Sequence, residues 1–304
     1  MLKKIIVILI AVFFAVYAKS QSPVDTSVRE YKPVRLGIVA GGAGLFYAGI
    51  MTGLTTVWYE DKNYVGFHLT NDNDGWMQID KFGHAYTTYL MGRMGKSAMD
   101  WTGVSRKKAI WWGGSYGFLF MTTIEVIDGH YSEWGFSMGD MLANAAGSML
   151  FIGQELAFDK QILTYKFSYH HTEYAQYKPG SLGTTDLERV IADYNGQTFW
   201  LSLNLKDVMP RNKYLPSWLS VAGGYGANGM LGATTNPKYG VGGEIPHFDR
   251  YRSYYLSLDI DFDKIKTRSK FLKSTFFFLN MLKFPLPTVE FTSQGNTIFH
   301  PFYF

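Results

Sequence analysis

The longest stretch of the chain without a charged residue runs from Leu36 to Tyr59. A helix of these 24 residues would be about 36 Å long, which is enough to cross the hydrocarbon core of a bilayer. Small residues recur in it at intervals of four, as at Gly37 and Gly41, and this spacing lets helices approach closely. The segment therefore predicts a membrane-associated helix that packs against other helices.

An export signal precedes this segment. Lys3 and Lys4 are followed by an apolar run from Ile5 to Ala18, and Ala18 and Ser20 form a cleavage site of the Ala-x-Ser type. We expect residues 1–20 to be removed as a signal peptide, because the apolar run is short for a spanning helix. Cleavage removes three lysines and no acid, which lowers the formal net charge from +4 to +1. The basic balance of the full sequence therefore gives no support for a nucleic-acid partner.

The composition excludes several classes of site. The chain has no Cys, so disulfides, thiolate metal sites, Cys nucleophiles and a lipid-modified Cys are all excluded. Aromatic residues make up 17% of the chain, and Tyr (21) is nearly as frequent as Phe (23). Such amphipathic rings suit the edge of a bilayer, although an aromatic-rich soluble core would have the same composition.

Helical patterns fill the first half of the chain. Residues 21–35 are polar, contain two prolines and are expected to form an extended lead-in. Further helices are predicted over residues 76–100, 105–128 and 137–157, the last with Ser137 as its N-cap. Their apolar stretches are shorter than that of the first helix, which is more typical of a buried core or of partial insertion. We predict a Gly-rich, membrane-associated four-helix bundle over residues 36–158.

The pattern changes to β in residues 159–304, so the predicted fold class is α+β with a mostly antiparallel C-terminal region. The segments ILTYKFSYHH, QTFWLSLNL, WLSVAGGYGANGM and YRSYYLSLDIDF alternate in polarity or are rich in β-branched and aromatic residues. The chain ends in IFHPFYF, and a terminal aromatic residue is a feature of outer-membrane barrels. Pro301 interrupts this last strand, however, and the strands are too few to predict a closed barrel.

A basic segment lies within the β region, at residues 263–283. Five basic residues precede a run of Phe and Leu, and they are Lys264, Lys266, Arg268, Lys270 and Lys273. Such a segment can rest on a membrane with its apolar part inserted, each basic side chain near an anionic leaflet contributing about 1 kcal/mol. A pair of strands with one solvated edge is the alternative.

Acidic, amide and imidazole side chains recur at helical spacing in three of the predicted helices. Asp80 and His84 are four positions apart and share one face of the second helix. Glu125 lies near the end of an apolar helix, where a carboxylate is costly unless it is paired or coordinated. Asp140 and Asn144 repeat the spacing on the fourth helix, and the short connection before them predicts that Glu125 lies near Asp140.

Two interpretations of these residues remain open. The first is a divalent cation site with the ligands Asp80, His84, Glu125, Asp140 and Asn144. One imidazole with carboxylate and amide oxygens suits Zn²⁺, Mn²⁺ or Fe²⁺, and an open coordination position could activate water. The second is a buried polar network that fixes the register of the helices, with Lys81 or Arg93 as counter-charge. In the first interpretation, Lys81 faces outward toward lipid headgroups or Asp128.

The order of these motifs resembles that of known envelope proteins. DKFGH, TTIEVIDG and GFSMGDMLANAAG follow the order D-K-x-x-H, E, S-x-x-D-x-x-A-N-x-x-G, which is similar to that of VanZ-like membrane proteins. The order also resembles the YfiM-like group of predicted periplasmic lipoproteins, whose longer members are similar in the later β segments. The resemblance implies an envelope protein of unsettled biochemistry. The chain departs from the lipoprotein pattern because it has no Cys to acylate.

The leading functional hypothesis is a non-enzymatic envelope protein. It would be a membrane-associated scaffold or an accessory subunit of an outer-membrane machine, with lipids and subunits of that complex as partners. The alternative is a metal-dependent envelope hydrolase or transferase that acts on a lipid or a cell-wall fragment through the proposed cation site. In either case we expect the protein at the periplasmic face of the outer membrane rather than at the inner membrane.

Overall fold

The computed structural model describes residues 30–60 and 62–303. The predicted signal peptide and most of the lead-in lie outside the described residues. The chain divides into two compact units. The helical unit takes in the described residues up to Asn71, then Thr87–Gln161 and Thr267–Thr275. The sheet unit takes in Asp72–Tyr86, Ile162–Lys266 and the described residues from Phe276 onward.

Helices dominate the described chain up to residue 158. They are α1 (Pro33–Gly53), α2 (Ile79–Trp101), α3 (Arg106–Lys108), α4 (Gly114–Asp128) and α5 (Met138–Phe158). Two π-helical turns, Leu54–Trp58 after α1 and Ala109–Gly113 between α3 and α4, extend these helices. The long helices agree with the predicted intervals to within a few residues. The helical region is nevertheless broken into more pieces than the four predicted, so a simple four-helix bundle is not confirmed.

Glycines set the closest approach within the helical unit. A Cβ on Gly95 of α2 would lie 2.4 Å from the carbonyl oxygen of Gly113, and one on Gly117 of α4 would lie 2.7 Å from that of Thr88. Both distances are shorter than any tolerable contact, so the two backbones touch where only glycine fits. The glycines of α1, such as Gly41, meet no described atom within 4 Å. The small residues that bring helices together are thus those of α2 and α4.

A six-stranded antiparallel sheet forms the centre of the sheet unit. Its strands are β3 (Leu163–Tyr169), β4 (Gln197–Asn204), β5 (Leu219–Asn228), β8 (Tyr251–Ile260), β9 (Leu286–Thr292) and β10 (Thr297–Tyr303), in the order β10-β9-β8-β5-β4-β3. The remaining short strands are β1 (Leu69–Thr70), β2 (Phe136–Ser137), β6 (Tyr239–Gly240) and β7 (Gly243–Glu244). The remaining α-helices are α6 (Pro179–Leu182), α7 (Asp186–Ala192), α8 (Leu205–Val208) and α9 (Lys270–Leu279). The predicted mixed fold with an antiparallel C-terminal sheet is confirmed.

This sheet is strongly curled, and an irregular segment pairs with the free edge of β3. The backbone N–H of Phe167 in β3 donates to the carbonyl of Met281 at 3.2 Å, and that of Lys283 donates to the carbonyl of Phe167 at 2.9 Å. Inside the curl, the Tyr303 hydroxyl of β10 lies 3.2 Å from Oγ1 of Thr198 in β4. In a flat sheet these two strands would be about 19 Å apart. No strand pairing joins β10 to β3 in the described residues, so the expectation that the strands are too few for closure is not contradicted, and Pro301 is tolerated because β10 is an edge strand.

The polarity of the curled sheet is reversed relative to that of a sheet in water. Its inward face buries polar side chains, among them Lys166, Ser202, Ser253, Ser257, Asp259 and Glu290. An aromatic cluster of Trp200, Tyr255 and Tyr303 fills the remaining interior. Leucines and aromatic residues occupy the outward face of the same strands, and many of them are exposed. The predicted alternation of apolar and polar residues along the strands is therefore present, and the polar residues point to the inside.

Candidate functional site

The first two turns of α2 carry the predicted Asp80 and His84, and both belong to the sheet unit. His84 Nε2 lies 3.9 Å from Asp80 Oδ1, and the side chains are only 13% and 22% exposed. The i, i+4 spacing on an unbroken helix accounts for this proximity. The predicted pairing of these two residues on one helix face is confirmed within this unit.

Lys81 does not face outward, which corrects the prediction. Its Nζ lies 2.7 Å from Oδ2 of Asp72 and 3.6 Å from Oδ2 of Asp80, and its side chain is 13% exposed. Side chains on a helix point back toward its N-terminus, so the long Lys81 stem reaches the chain that enters α2. The ammonium therefore supplies counter-charge beside Asp80, the role that the network interpretation gave it.

Two partners of this group were missed from the sequence. Tyr194, in the turn before β4, donates its hydroxyl to Oδ1 of Asp80 at 2.8 Å. Asp72 pairs with Lys81 as described, although Asp72 lies before the helix begins. Asp72 belongs to the NDND run just before the helix, and an acidic residue there could have been predicted as a partner of Lys81. Tyr194 is 114 positions from Asp80, and no local pattern could have indicated it.

The predicted acidic residues of the helical unit meet at the N-terminus of α5. Oε2 of Glu125 accepts the backbone N–H of Ser137 at 3.3 Å, and Oγ of Ser137 accepts that of Asp140 at 3.1 Å. Ser137 is thus the N-cap of α5, as predicted, and it links the Glu125 carboxylate to the backbone of Asp140. Carboxylates are stabilised at this end of a helix by the positive end of its dipole. The predicted proximity of Glu125 and Asp140 follows from this cap.

Burial separates these residues from ordinary surface acids. Glu125 is 2% exposed, Asp140 is 4% exposed and Asn144, one turn further along α5, is fully buried. A carboxylate at such a depth requires hydrogen bonds, a counter-ion or a metal. Their oxygens are hard ligands, which suit a divalent cation as well as they suit a hydrogen-bond network. Both interpretations of the sequence therefore remain chemically reasonable for the helical unit.

A second buried charge cluster lies inside the curled sheet. Lys166 Nζ is 2.7 Å from Oδ2 of Asp259, Lys283 Nζ is 3.8 Å from Oδ1, and all three side chains are fully buried. Burial and the neighbouring Lys166, opposed by Asp259, lower the pKa of Lys283 to about 8. Ser202 donates a further hydrogen bond of 2.6 Å to Asp259. No pattern in the sequence predicts this cluster, because a period-2 alternation does not indicate which face of a strand is buried.

Comparison with known proteins supports a periplasmic family of unknown function. Residues 67–152, which include all five predicted site residues, match a family described as Predicted periplasmic lipoprotein (DUF2279). The match covers less than a third of the chain. It supports neither the VanZ-like nor the YfiM-like resemblance. No curated protein and no solved structure matches the chain. A lipoprotein carries its lipid on a Cys, and these 304 residues contain no Cys.

Proposed function

We propose that this is a structural protein of the cell envelope, embedded in a membrane through its helical unit and acting as a scaffold or accessory subunit of an outer-membrane assembly. The observation that carries the proposal is the reversed polarity of α5. Its exposed side, at intervals of three or four, consists of Met138, Leu142, Ala146, Met149, Gly153 and Leu156. Most of its buried residues are polar, since Asp140, Asn144, Ser148, Gln154 and Glu155 are buried beside Gly147, Phe151 and Ile152. A helix in water does the opposite.

The exposed residues of the neighbouring helices also support a lipid environment. The exposed residues from Ala109 to Asp128 are Trp111, Trp112, Leu119 and Val126. Beyond Arg35, helix α1 is apolar on all sides, and the helix has no buried residue, unlike the core helix of a soluble protein. Its length and composition suffice to cross a membrane.

One end of the helical unit is suited to a membrane–water interface. Lys107 and Lys108 are exposed and directly precede the exposed Trp111 and Trp112. Arg35 lies over the ring of Trp101 at 4.9 Å at the start of α1. Tryptophans next to basic residues are typical of the headgroup region.

Lysine substitutions on the exposed side of α5 test the proposal. In lipid, a lysine near the middle of a helix costs about 3 kcal/mol, whereas on a surface in water it costs less than about 0.5 kcal/mol. We expect Leu142→Lys and Met149→Lys to reduce strongly the amount of protein that stays in membranes after alkaline carbonate extraction. Leu187→Lys, at an exposed leucine of α7, is the matched control. Equal recovery of all three variants, or release of the wild type by carbonate, contradicts the proposal.

A divalent cation on Asp80, His84, Glu125, Asp140 and Asn144 remains part of the proposal. The support is the chemistry of the donors, their burial and the pairings described in each unit. The ion would be Zn²⁺, Mn²⁺ or Fe²⁺, and in a scaffold it would stabilise the fold.

A metal-dependent hydrolase or transferase acting on a lipid or cell-wall fragment is the alternative function. It requires an open coordination position beside His84 and a bound metal. Purified protein loaded with Zn²⁺, Mn²⁺ or Fe²⁺ can be incubated with phospholipids and with peptidoglycan fragments. A reaction product that the wild type forms and His84→Ala does not form would favour this enzymatic function over the structural role.

A further inference from the structure

The outward face of the curled sheet is apolar and exposed across five neighbouring strands. Its exposed members are Leu201, Tyr254, Leu256, Leu258, Phe291 and Phe299. Leu256 lies opposite Gly223 and Val289, and Tyr254 lies opposite Phe291, so the side chains form one continuous surface. We call this surface the outer band.

The residues that alternate with the outer band indicate what covers it. In β8, the buried neighbours of Leu256 and Leu258 are Ser257 and Asp259, which are 4% and 0% exposed. An antiparallel sheet in water packs its apolar face on the core and leaves its polar face solvated. Strands that alternate apolar-out and polar-in are typical of proteins surrounded by lipid.

The height of the outer band decides how deeply it can enter a membrane. From Tyr254 to Ile260 the strand advances six residues, which is about 20 Å even without tilt. The hydrocarbon core of a bilayer is about 30 Å thick, and strands that cross it are tilted by about 45°. The band is therefore too short to span the membrane and matches the acyl region of one leaflet.

The connection between β4 and β5 has the composition of an interfacial loop. Tyr214 is 96% exposed and Trp218 is 40% exposed, and Arg211 and Lys213 are exposed between Met209 and Tyr214. Tyrosine and tryptophan rings favour the headgroup level, and basic side chains favour anionic lipids. The charge of this loop thus complements the surface of an anionic leaflet.

We propose that the outer band of the sheet unit lies in the acyl region of one leaflet of an anionic membrane, with residues 205–218 at the headgroups. The sheet unit is then a second membrane-binding element, independent of the helical unit. The proposal goes beyond the membrane embedding of the helices and does not depend on it. Lipid, rather than a protein partner, is the occupant.

Single cysteines can test this directly, because the chain contains none. Leu256→Cys and Phe291→Cys place an environment-sensitive fluorophore on the outer band. Gln294→Cys, in the exposed turn between β9 and β10, is the matched control. The labelled full-length proteins are reconstituted into vesicles of phosphatidylethanolamine and phosphatidylglycerol, with or without lipids that carry a quencher on the acyl chain. Iodide serves as the aqueous quencher, and circular dichroism checks that each variant is folded.

We expect the two outer-band probes to be blue-shifted, quenched at least severalfold more by the acyl-chain quencher than the control, and protected from iodide. A quencher near the headgroup end of the chain should act more strongly than one at the bilayer midplane. Arg211→Gln with Lys213→Gln should lower the quenching in anionic vesicles and leave it unchanged in phosphatidylcholine vesicles.

Two results would overturn the proposal. Iodide quenching of the outer-band probes as strong as that of the Gln294→Cys probe would mean that the band faces water. Protection from iodide without any effect of the lipid quenchers would mean that protein covers the band, either a second copy or another chain. Neither result would bear on the helical unit, whose insertion is tested separately by carbonate extraction.

Discussion

The hydroxyl of Tyr194 donates a hydrogen bond of 2.8 Å to Oδ1 of Asp80, across 114 positions of the chain. It joins the turn before β4 to the first turn of α2. The same carboxylate also lies near Lys81 and His84, so one hydrogen bond orients a side chain that both of them approach.

Tyr194→Phe should lower the free energy of unfolding by about 1–2 kcal/mol, because a partly buried carboxylate loses a donor. The measurement is chemical denaturation in detergent micelles. Tyr214→Phe, at a side chain that is 96% exposed, is the control and should have no effect. An unchanged stability of Tyr194→Phe would show that water replaces the hydroxyl at no cost.

Ser137→Ala should destabilise the protein by about 1 kcal/mol through loss of the α5 N-cap. Ser137→Asn should retain most of the stability, because its side-chain oxygen can accept the same backbone N–H. Thermal melts of both variants distinguish the cap from a general intolerance of substitution. If Asn destabilises as much as Ala, the cap is not the reason that Ser137 matters.

His84→Ala and Asp140→Ala should each abolish stoichiometric metal, measured by elemental analysis of the purified protein. Chelator should lower the melting temperature of the wild type and leave both variants unchanged, because metal binding contributes to folding. His247→Ala removes a histidine whose side chain is 88% exposed and should retain the metal. A wild type without metal that ignores chelator would leave the buried polar network as the interpretation.

Lys283 should make stability rise with pH between about pH 8 and about pH 10. Its pKa is lowered to about 8, so above that value the unfolded chain binds a proton that the folded protein lacks. Below pH 8 both states are protonated and the slope vanishes. Lys283→Met should remove the slope, which urea unfolding at about pH 7.5 and about pH 9.5 can measure. Persistence of the full slope in Lys283→Met would assign it to another group.

The basic segment at residues 263–283 should bind anionic membranes through its exposed cations. Lys264 pairs with Asp207 at 2.8 Å and is less available than predicted. The exposed ones are Lys266, Arg268, Lys270 and Lys273. Their replacement by Gln should weaken association with anionic liposomes at low salt, by up to about 1 kcal/mol per charge. Replacement of Lys264 alone should have little effect, and unchanged binding of the fourfold variant would exclude a membrane role for the segment.

Local patterns account for what could be predicted from the sequence. The ends of the long helices follow from hydrophobic period and caps, as at Ser137, and the proximity of Asp80 and His84 follows from helical spacing alone. The direction of Lys81 could have been anticipated, because helical side chains lean toward the N-terminus. These features depend on residues within a few positions of one another.

The contacts that were missed join distant parts of the chain. Nothing local to Tyr194 indicates Asp80, and nothing local to Asp259 indicates Lys166 or Lys283. The alternation in residues 251–260 shows which side chains share a face of the strand, but not which face is buried. The usual assumption that the apolar face is buried fails in this sheet. The pairing of Phe167 was missed because its partner is an irregular segment, not a strand with a pattern of its own.

The backbone bonds that join Phe167 to Met281 and Lys283 also bear on how the chain folds. The two segments are more than a hundred positions apart, so the loop-length term alone opposes their meeting by roughly 4 kcal/mol. During synthesis β3 leaves the ribosome long before its closing partner exists, and until then its edge is unpaired. Contacts of such long range make folding slow. The helices can form early, but β3 gains this backbone partner only after residues 281–283 have been made, and a chain truncated before them would leave the edge of β3 open and prone to aggregation.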